Sequence, residues 1–305
     1  MIDILMATYN GSRYIRNQIL SLQQQTYEDW RLLVRDDGSS DNTLEIVKSF
    51  MDNDPRVILI KDDLGNLGAG KCFLELTKYA QADYVMFCDQ DDIWFEKKIQ
   101  MLHNAAVEKL IPERPGFVYC DGYAYSDKLG LITASSISRV HAKNLRELLF
   151  LNAGYQGCSI FFNRSLCKML ANYKADYFYM HDDVTTLIAH TFGDVYFINK
   201  SLMLYRQHEG NVTGNIQFGL MLFLKRVFSG APVISDRHYK EKDAFYNAYR
   251  NDMNDSDEAL FKEYLRFPFV GFLRRVQIVV SNGFTEGGSF IRLLVKVLLR
   301  RPMND

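Results

Sequence analysis

Three carboxylates fall within four positions in Cys88-Asp89-Gln90-Asp91-Asp92-Ile93-Trp94, directly after the apolar run Tyr84-Val85-Met86-Phe87. A strand of a parallel sheet delivers its C-terminal end to the crevice where ligands bind. Hard oxygen ligands from one or two aspartates, completed by substrate phosphates, are what Mg²⁺ or Mn²⁺ prefers. The cluster therefore reads as a place for a phosphate-bearing substrate. The plainer alternative is a polar loop in which Asp92 caps a helix starting near Trp94.

Other strand ends carry residues of matching chemistry. Thr8-Tyr9-Asn10-Gly11 offers an aromatic ring to pack on a base and a turn whose backbone can approach phosphate. In Asp36-Asp37-Gly38-Ser39-Ser40-Asp41 a carboxylate can accept the imide N–H of a uracil or thymine. An Asx turn and a helix cap at Asp41 or Asn42 explain part of that run, but not the adjacent pair Asp36 and Asp37. Gly65-Asn66-Leu67-Gly68-Ala69-Gly70-Lys71 lacks P-loop spacing, which argues against nucleotide hydrolysis by that route.

Further along, Tyr179-Met180-His181-Asp182-Asp183 precedes a helix-like stretch, and a carboxylate at a helix start can serve as general base. Either aspartate can instead cap that helix. His181 can orient the base, line an acceptor pocket or be purely structural. Tyr205-Arg206-Gln207-His208-Glu209-Gly210-Asn211 follows a strand; Arg206 can pair with diphosphate and His208 can ligate a metal or donate to phosphate, with Asn211 beside them.

The elements that must position these residues are legible in part. Strands are expected at 2–7, 30–35, 57–61, 84–88 and 117–120, separated by helices with faces Ile15/Ile19/Leu22, Leu44/Val47/Met51 and Ile99/Leu102/Ala106. That alternation predicts an α/β fold with a mainly parallel sheet flanked by helices. After Asp121 it loosens, with helices near 145–151 and 182–192, strands at 159–163, 195–198 and 202–205, and a mostly helical remainder from about 218.

The 36 basic and 37 acidic side chains give no general attraction to nucleic acid. Five widely spaced cysteines in or beside apolar runs, with no CxxC pair, read as reduced core residues of a cytoplasmic protein. The first residues look like a strand rather than a signal peptide, and no apolar run approaches the length of a membrane span. Charge is concentrated at the end: residues 264–305 hold seven basic and two acidic side chains, a net +5. There Arg292, Lys296 and Arg300 recur every four residues, while Phe290, Leu293, Leu294, Val297 and Leu298 fill the opposite face. Together with the apolar segment 218–228, this pattern suits an anionic membrane surface, or else a terminal helix docked on the core.

Taken in order and spacing, Thr8-Tyr9-Asn10, Asp36-Asp37-Gly38-Ser39-Ser40-Asp41, Gly65-Asn66-Leu67-Gly68 and Asp89-Gln90-Asp91-Asp92-Ile93-Trp94 resemble the family 2 glycosyltransferases. The resemblance spans roughly residues 1–215. It implies a GT-A fold over 1–215, with 1–121 binding the nucleotide-sugar and 122–215 on the acceptor side, and a helical, partly basic C-terminal region over 216–305. It also implies transfer of sugar with inversion. Asp37 would bind the base, Thr8 and Tyr9 would line its pocket with Asn10 beside them, and Asp89 and Asp91 would form the DxD motif. Asp91 is the expected direct ligand of Mg²⁺ or Mn²⁺, and Asp89 contacts ribose or metal. Asp182 occupies the place of the family's base, with Asp183 the second choice because aromatic residues do not follow the pair here.

The runs DQDDIW, HD and YRQHxxN, with 152–158, are most similar to bacterial polysaccharide rhamnosyltransferases. That implies dTDP-L-rhamnose as donor and a lipid-linked oligosaccharide acceptor at the inner membrane face, with UDP-hexose or UDP-N-acetylhexosamine as alternative donors. A sugar nucleotidyltransferase would show a glycine-rich basic loop where Thr8-Tyr9-Asn10-Gly11 stands. Intact Asp37, Asp91 and Asp182 argue against a non-catalytic assembly partner.

Overall fold

The structure is a computed structural model describing residues 1–138, 140–151, 155–208 and 231–303. Asn152–Gly154, Asn211 and the 218–228 segment, all singled out above, lie outside the described residues.

The first half alternates as the apolar periodicity predicts: β1 (Ile2–Thr8), α1 (Ile15–Gln23), β2 (Trp30–Asp36), α2 (Thr43–Met51), β3 (Val57–Leu59), α3 (Ala69–Thr77), β4 (Tyr84–Phe87), β5 (Ile93–Trp94), α4 (Lys98–Lys109) and β6 (Gly116–Ser126). Then come β7 (Leu131–Ala134), α5 (Leu145–Leu149), β8 (Ile160–Asn163), α6 (Arg164–Ala171), α7 (His181–Phe192) and β9 (Asp194–Gln207). Four helices complete the described chain, α8 (Asp236–Tyr249), α9 (Asp255–Arg266), α10 (Phe272–Asn282) and α11 (Phe290–Leu299).

The strands form one sheet in the order β3-β2-β1-β4-β8-β6-β9-β5, with β7 paired to β6. β1, β2, β3 and β4 are mutually parallel, as are β6 and β9, whereas β8, β5 and β7 run antiparallel to their neighbours. Period-2 alternation distributes side chains to two cores. Leu5, Val85, Phe87, Phe117 and Tyr119 face one core, with α3, α6, α7 and the C-terminal helices. Ile4, Met6, Met86, Val118 and Cys120 face the other, with α1, α2 and α4. All five cysteines are free and buried.

Three expectations change. Trp94 does not begin a helix: Ile93 and Trp94 pair with Leu204 and Met203 of β9, and α4 starts only at Lys98, so Asp92 caps nothing there. The two strands expected at 195–198 and 202–205 are one strand, β9, whose register against β6 shifts between Cys120 and Tyr123. Helices α3 and α6 arise where no helix was expected.

The C-terminal helices share a core with α7. Phe245, Phe261, Tyr264, Phe267, Val279, Leu293 and Val297 are buried in one cluster with Val184, Leu187 and Ile188 of α7. Each such side chain contributes about 1.5–3 kcal/mol of burial, so this region stiffens α7 rather than trailing from it. No described helix is long and apolar enough to cross a membrane.

Candidate active site

The loops after β1, β2 and β4 open on one edge of the sheet and interlock. Gln90 accepts from the Tyr9 N–H at 3.1 Å and donates to the Tyr9 carbonyl at 3.0 Å. A Cβ on Gly11 would lie 2.0 Å from Gln90 Oε1, so any larger residue there would push the Gln90 amide out of this clasp. Asn10, at φ 47°, donates its N–H to Ser39 and accepts from the Ser40 N–H. The Tyr9 side chain remains exposed.

The adjacent aspartates after β2 divide their labour. Asp36 forms the turn, accepting from the Gly38 and Ser39 N–H groups and from the Thr8 hydroxyl at 2.8 Å. Asp37 is buried and anchors the next loop, accepting from the Leu67 and Gly68 N–H groups, each at 2.8 Å, and from Arg35 at 2.7 Å. The buried Arg35 guanidinium also holds Asp62 and the Gly65 carbonyl. Thr8 and Asp37 thus border the crevice through contacts that shape its loops.

At the end of β4, Asp91 meets His208 at 2.7 Å, and the His208 ring stacks on Tyr14 at 4.6 Å. Arg206 donates to the Asp91 carbonyl at 2.7 Å, pairs with Asp127 and lies over the Tyr14 ring. Its own backbone N–H donates to Asp92. The antiparallel β5–β9 pair explains how segments so distant in sequence meet. Tyr14, Gln90 and Asp127 were missed in the sequence; Gln90 alone carried a signal, its place between two carboxylates.

Beneath this cluster lies the fully buried ammonium of Lys98, which donates to the Cys158 carbonyl at 2.6 Å and sits 3.6 Å from the Trp94 ring centroid. Burial pushes the Asp89 carboxyl up to about 7, with the Asp91 charge adding to it and Lys98 opposing it. Burial, then the charges of Asp91 and Asp89, raises Asp92 well above the carboxylate range.

Ligand atoms of Asp89, Asp92 and Cys158 lie within 4.8 Å of one another. Burial raises the Cys158 thiol well above its ordinary value, and a soft sulfur suits neither Mg²⁺ nor Mn²⁺. The hard oxygen donors that remain, with Asp91 and His208 beside them, fit Mg²⁺ or Mn²⁺.

On the facing side, α7 begins at His181 with Asp182 and Asp183 in its first turn, where negative charge suits the helix dipole. Neither aspartate is the cap residue, which is Met180. Burial, then Asp183, then Asp89 raises the Asp182 carboxyl well above its ordinary value. The Asp89 contribution sets the base candidate near the acidic cluster. Asp183 points elsewhere, towards His238 at 3.9 Å, beside a cavity of about 20 Å³ also lined by Glu241 and Lys242.

His181 is buried, stacked on Phe73 at 4.1 Å, and neither ring nitrogen has a hydrogen-bond partner among the described residues. Burial lowers its pKa to about 3, so it is neutral. A Cβ on Gly157 would lie 2.5 Å from its Nε2 and 3.5 Å from the Asp182 Cβ. From α8, Glu241 accepts from the Tyr179 N–H at 2.9 Å, Arg237 donates to the Tyr179 hydroxyl at 2.7 Å, and Lys242 donates to the Leu151 carbonyl at 3.1 Å. The segment carrying Asp182 is therefore held from the C-terminal region.

Comparison with known proteins bears on this arrangement. The family model for glycosyl transferase family 2 matches residues 3–170. A dTDP-rhamnosyl transferase, RfbG of Shigella flexneri, is 33% identical over 227 residues, 70% of this chain and 75% of that protein. The UDP-Glc:alpha-D-GlcNAc-diphosphoundecaprenol beta-1,3-glucosyltransferase WfgD of Escherichia coli is 40% identical over 101 residues, 33% of this chain and 39% of that protein. Among solved structures, S. aureus TarS in complex with UDP-GlcNAc superposes with a TM-score of 0.56 at 17% identity, covering 92% of this chain and 72% of that one. The mannosyltransferase PcManGT from Pyrobaculum calidifontis, in complex with GDP-Man and Mn²⁺, gives 0.54 at 13% identity, covering 92% and 73%. At those identities the likeness establishes the fold.

Proposed function

The chain belongs to glycosyl transferase family 2, and on that premise we propose that it is an inverting transferase moving L-rhamnose from dTDP-L-rhamnose to a hydroxyl of a lipid-linked glycan in bacterial surface polysaccharide synthesis. The observation that supports the reading is the convergence of four distant segments on one crevice: the Tyr9–Gln90 clasp, the carboxylates of Asp89 and Asp92 with the neighbouring Asp91–His208 pair, and Asp182. The rhamnosyl donor rests on the Shigella relative, and the undecaprenol-linked acceptor of the E. coli relative supports a lipid-linked glycan. In this reading the nucleotide-sugar donor and the lipid-linked acceptor meet at the inner face of the membrane.

In this reading the base stacks near Tyr9, in a pocket whose walls Thr8, Asn10 and Asp37 hold in shape. Asp91 and Asp89 would hold a divalent cation beside His208, supplying positive charge to the leaving diphosphate. Asp182, ionised, takes the proton of the acceptor hydroxyl as its oxygen bonds to the anomeric carbon. The bond from that carbon to the diphosphate breaks, dTDP leaves with the electron pair, and the centre inverts in one displacement. Arg206, engaged by Asp127 and the Asp91 carbonyl, fixes the turn that presents Asp91. His181, neutral and buried, packs behind the base.

The test is release of nucleoside diphosphate from dTDP-rhamnose, UDP-glucose, UDP-galactose and UDP-N-acetylglucosamine, with Mn²⁺ or Mg²⁺ and an undecaprenyl-linked acceptor. Metal-dependent turnover of dTDP-rhamnose is expected. Turnover of UDP-glucose alone would install the second reading, which the match to the E. coli glucosyltransferase favours. No turnover of any donor would remove the transferase reading.

A further inference from the structure

Large apolar side chains that stay exposed gather on the last two described helices and the turn before them. Phe269 (70%), Leu273 (81%), Val280 (55%), Ile291 (74%), Leu298 (61%) and Leu299 (60%) face solvent. The helical period explains why. On α10 Leu273 and Val280 share one side, with Phe269 preceding them, while Ile278 and Val279 turn into the core. On α11 Ile291, Leu298 and Leu299 lie opposite the buried pair Leu293 and Val297. The single broad apolar face expected from the sequence is thus two faces, and the protein core covers one. Apolar surface concentrated in this way marks an interaction site.

Charge selects the occupant. Between Phe267 and Met303 the only acidic side chain is Glu286, and it is tied to Lys296. The same stretch also carries Arg274, Arg275, Arg292, Arg300 and Arg301. The exposed Arg292 and Arg301 meet no carboxylate within ion-pair distance among the described residues, whereas Arg274 reaches Glu263 at 3.8 Å and Arg275 is half-buried on the side of α10 away from Leu273. A second copy docking its own patch here would set arginines against arginines, which like-charge repulsion opposes. An anionic bilayer satisfies both halves of the pattern, with phosphates for the guanidinium groups and acyl chains for the leucines.

We propose that the outer face of α10 and α11 seats the protein on an anionic membrane surface, lying in the interface rather than spanning it. The proposal deepens the transferase reading, because a lipid-linked acceptor requires the enzyme to work at a bilayer. Its physical basis is separate from that chemistry. Since Val279, Leu293 and Val297 belong to the core that holds α7, the seat is rigidly joined to the segment carrying Asp182.

The experiment is sedimentation of the full chain, without donor or acceptor, with vesicles of phosphatidylglycerol and phosphatidylcholine in equal parts, and with phosphatidylcholine alone. Binding to the mixed vesicles that weakens with salt is expected, with little to phosphatidylcholine. Arg292→Gln with Arg301→Gln should lower the partition about 30-fold, from roughly a factor of five per basic residue near the surface. Leu273→Gln with Ile291→Gln and Leu298→Gln should also release the protein while leaving thermal unfolding unchanged, because all three side chains are exposed. Asp182→Asn should bind as wild type does, so that loss of seating and loss of transfer read out separately. Failure of the wild type to bind mixed vesicles, variants that bind undiminished, or a dimer in solution dispersed by the leucine and isoleucine substitutions would overturn the proposal.

Discussion

His208 and Asp91 stand 117 positions apart in the chain and 2.7 Å apart in the fold, joined because β9 runs antiparallel to the two-residue strand that follows Asp92. If this imidazole orients the carboxylate that holds a cation, His208→Ala weakens Mn²⁺ binding about 10- to 100-fold, the usual cost of losing such a partner. Calorimetric titration of Mn²⁺ in the presence of dTDP measures it. Unchanged affinity would place His208 outside the surroundings of the metal.

Asp182→Asn should lower kcat by about 100- to 10,000-fold, the range for loss of a general base, with donor binding retained. The neighbouring aspartate supplies a finer test. If Asp182 is the base, its ionised form is the active one, and the Asp183 charge is among the causes that raise its pKa, after burial. Asp183→Asn should therefore move the acidic limb of the kcat/KM profile to lower pH. A shift upward, or a limb unmoved, would show that another group limits the rate.

Gly157→Ala sets a methyl group only 2.5 Å from Nε2 of His181, the residue that precedes Asp182, closer than the two can pack, while the Asp182 Cβ at 3.5 Å remains in ordinary contact. Forcing them apart should cost about 1–3 kcal/mol of stability, and kcat should fall further than the loss of folded protein explains. Urea unfolding beside kinetics at saturating donor separates the two. Wild-type kcat would mean that the base tolerates displacement.

Glu241 is raised to about 8 from 4.5, chiefly by burial and then by the Asp183 charge. A carboxyl whose folded pKa lies above its unfolded value binds its proton more tightly in the folded state, so its contribution to stability falls as pH rises through that window. Glu241→Gln keeps an acceptor for the Tyr179 N–H and lacks the ionisation. Relative to wild type it should gain stability as pH is raised from about 4.5 to about 8, measured by urea unfolding at both ends. A relative loss over that range would reverse the assignment.

The sequence announced most of the sheet because strands covered on both faces read as short apolar runs: the strands expected at 2–7, 30–35 and 84–88 fall on β1, β2 and β4. Ile93 and Trp94 carried no such signal, since a two-residue strand exists only through its partner β9. Asp127 was equally silent, as nothing local tells that a turn aspartate will meet Arg206 and Arg13. The opposite side chains of Asp182 and Asp183 could not be told apart by spacing. Their separation depends on α8, more than fifty positions later, which supplies His238 to one of them.

The strand order carries a consequence for recombination. β8 lies between β4 and β6, and β9 lies between β6 and β5, so the later chain is laced through the earlier one. A chimera joined near residue 121, to exchange the donor half for that of a relative, would graft foreign neighbours on both sides of β8 and at the β5–β9 seam. The smallest exchangeable unit runs past β9 and takes in the C-terminal helices that share the core of α7. Donor preference in such a chain is therefore accessible to point changes in the crevice loops, but closed to modular shuffling of its two halves.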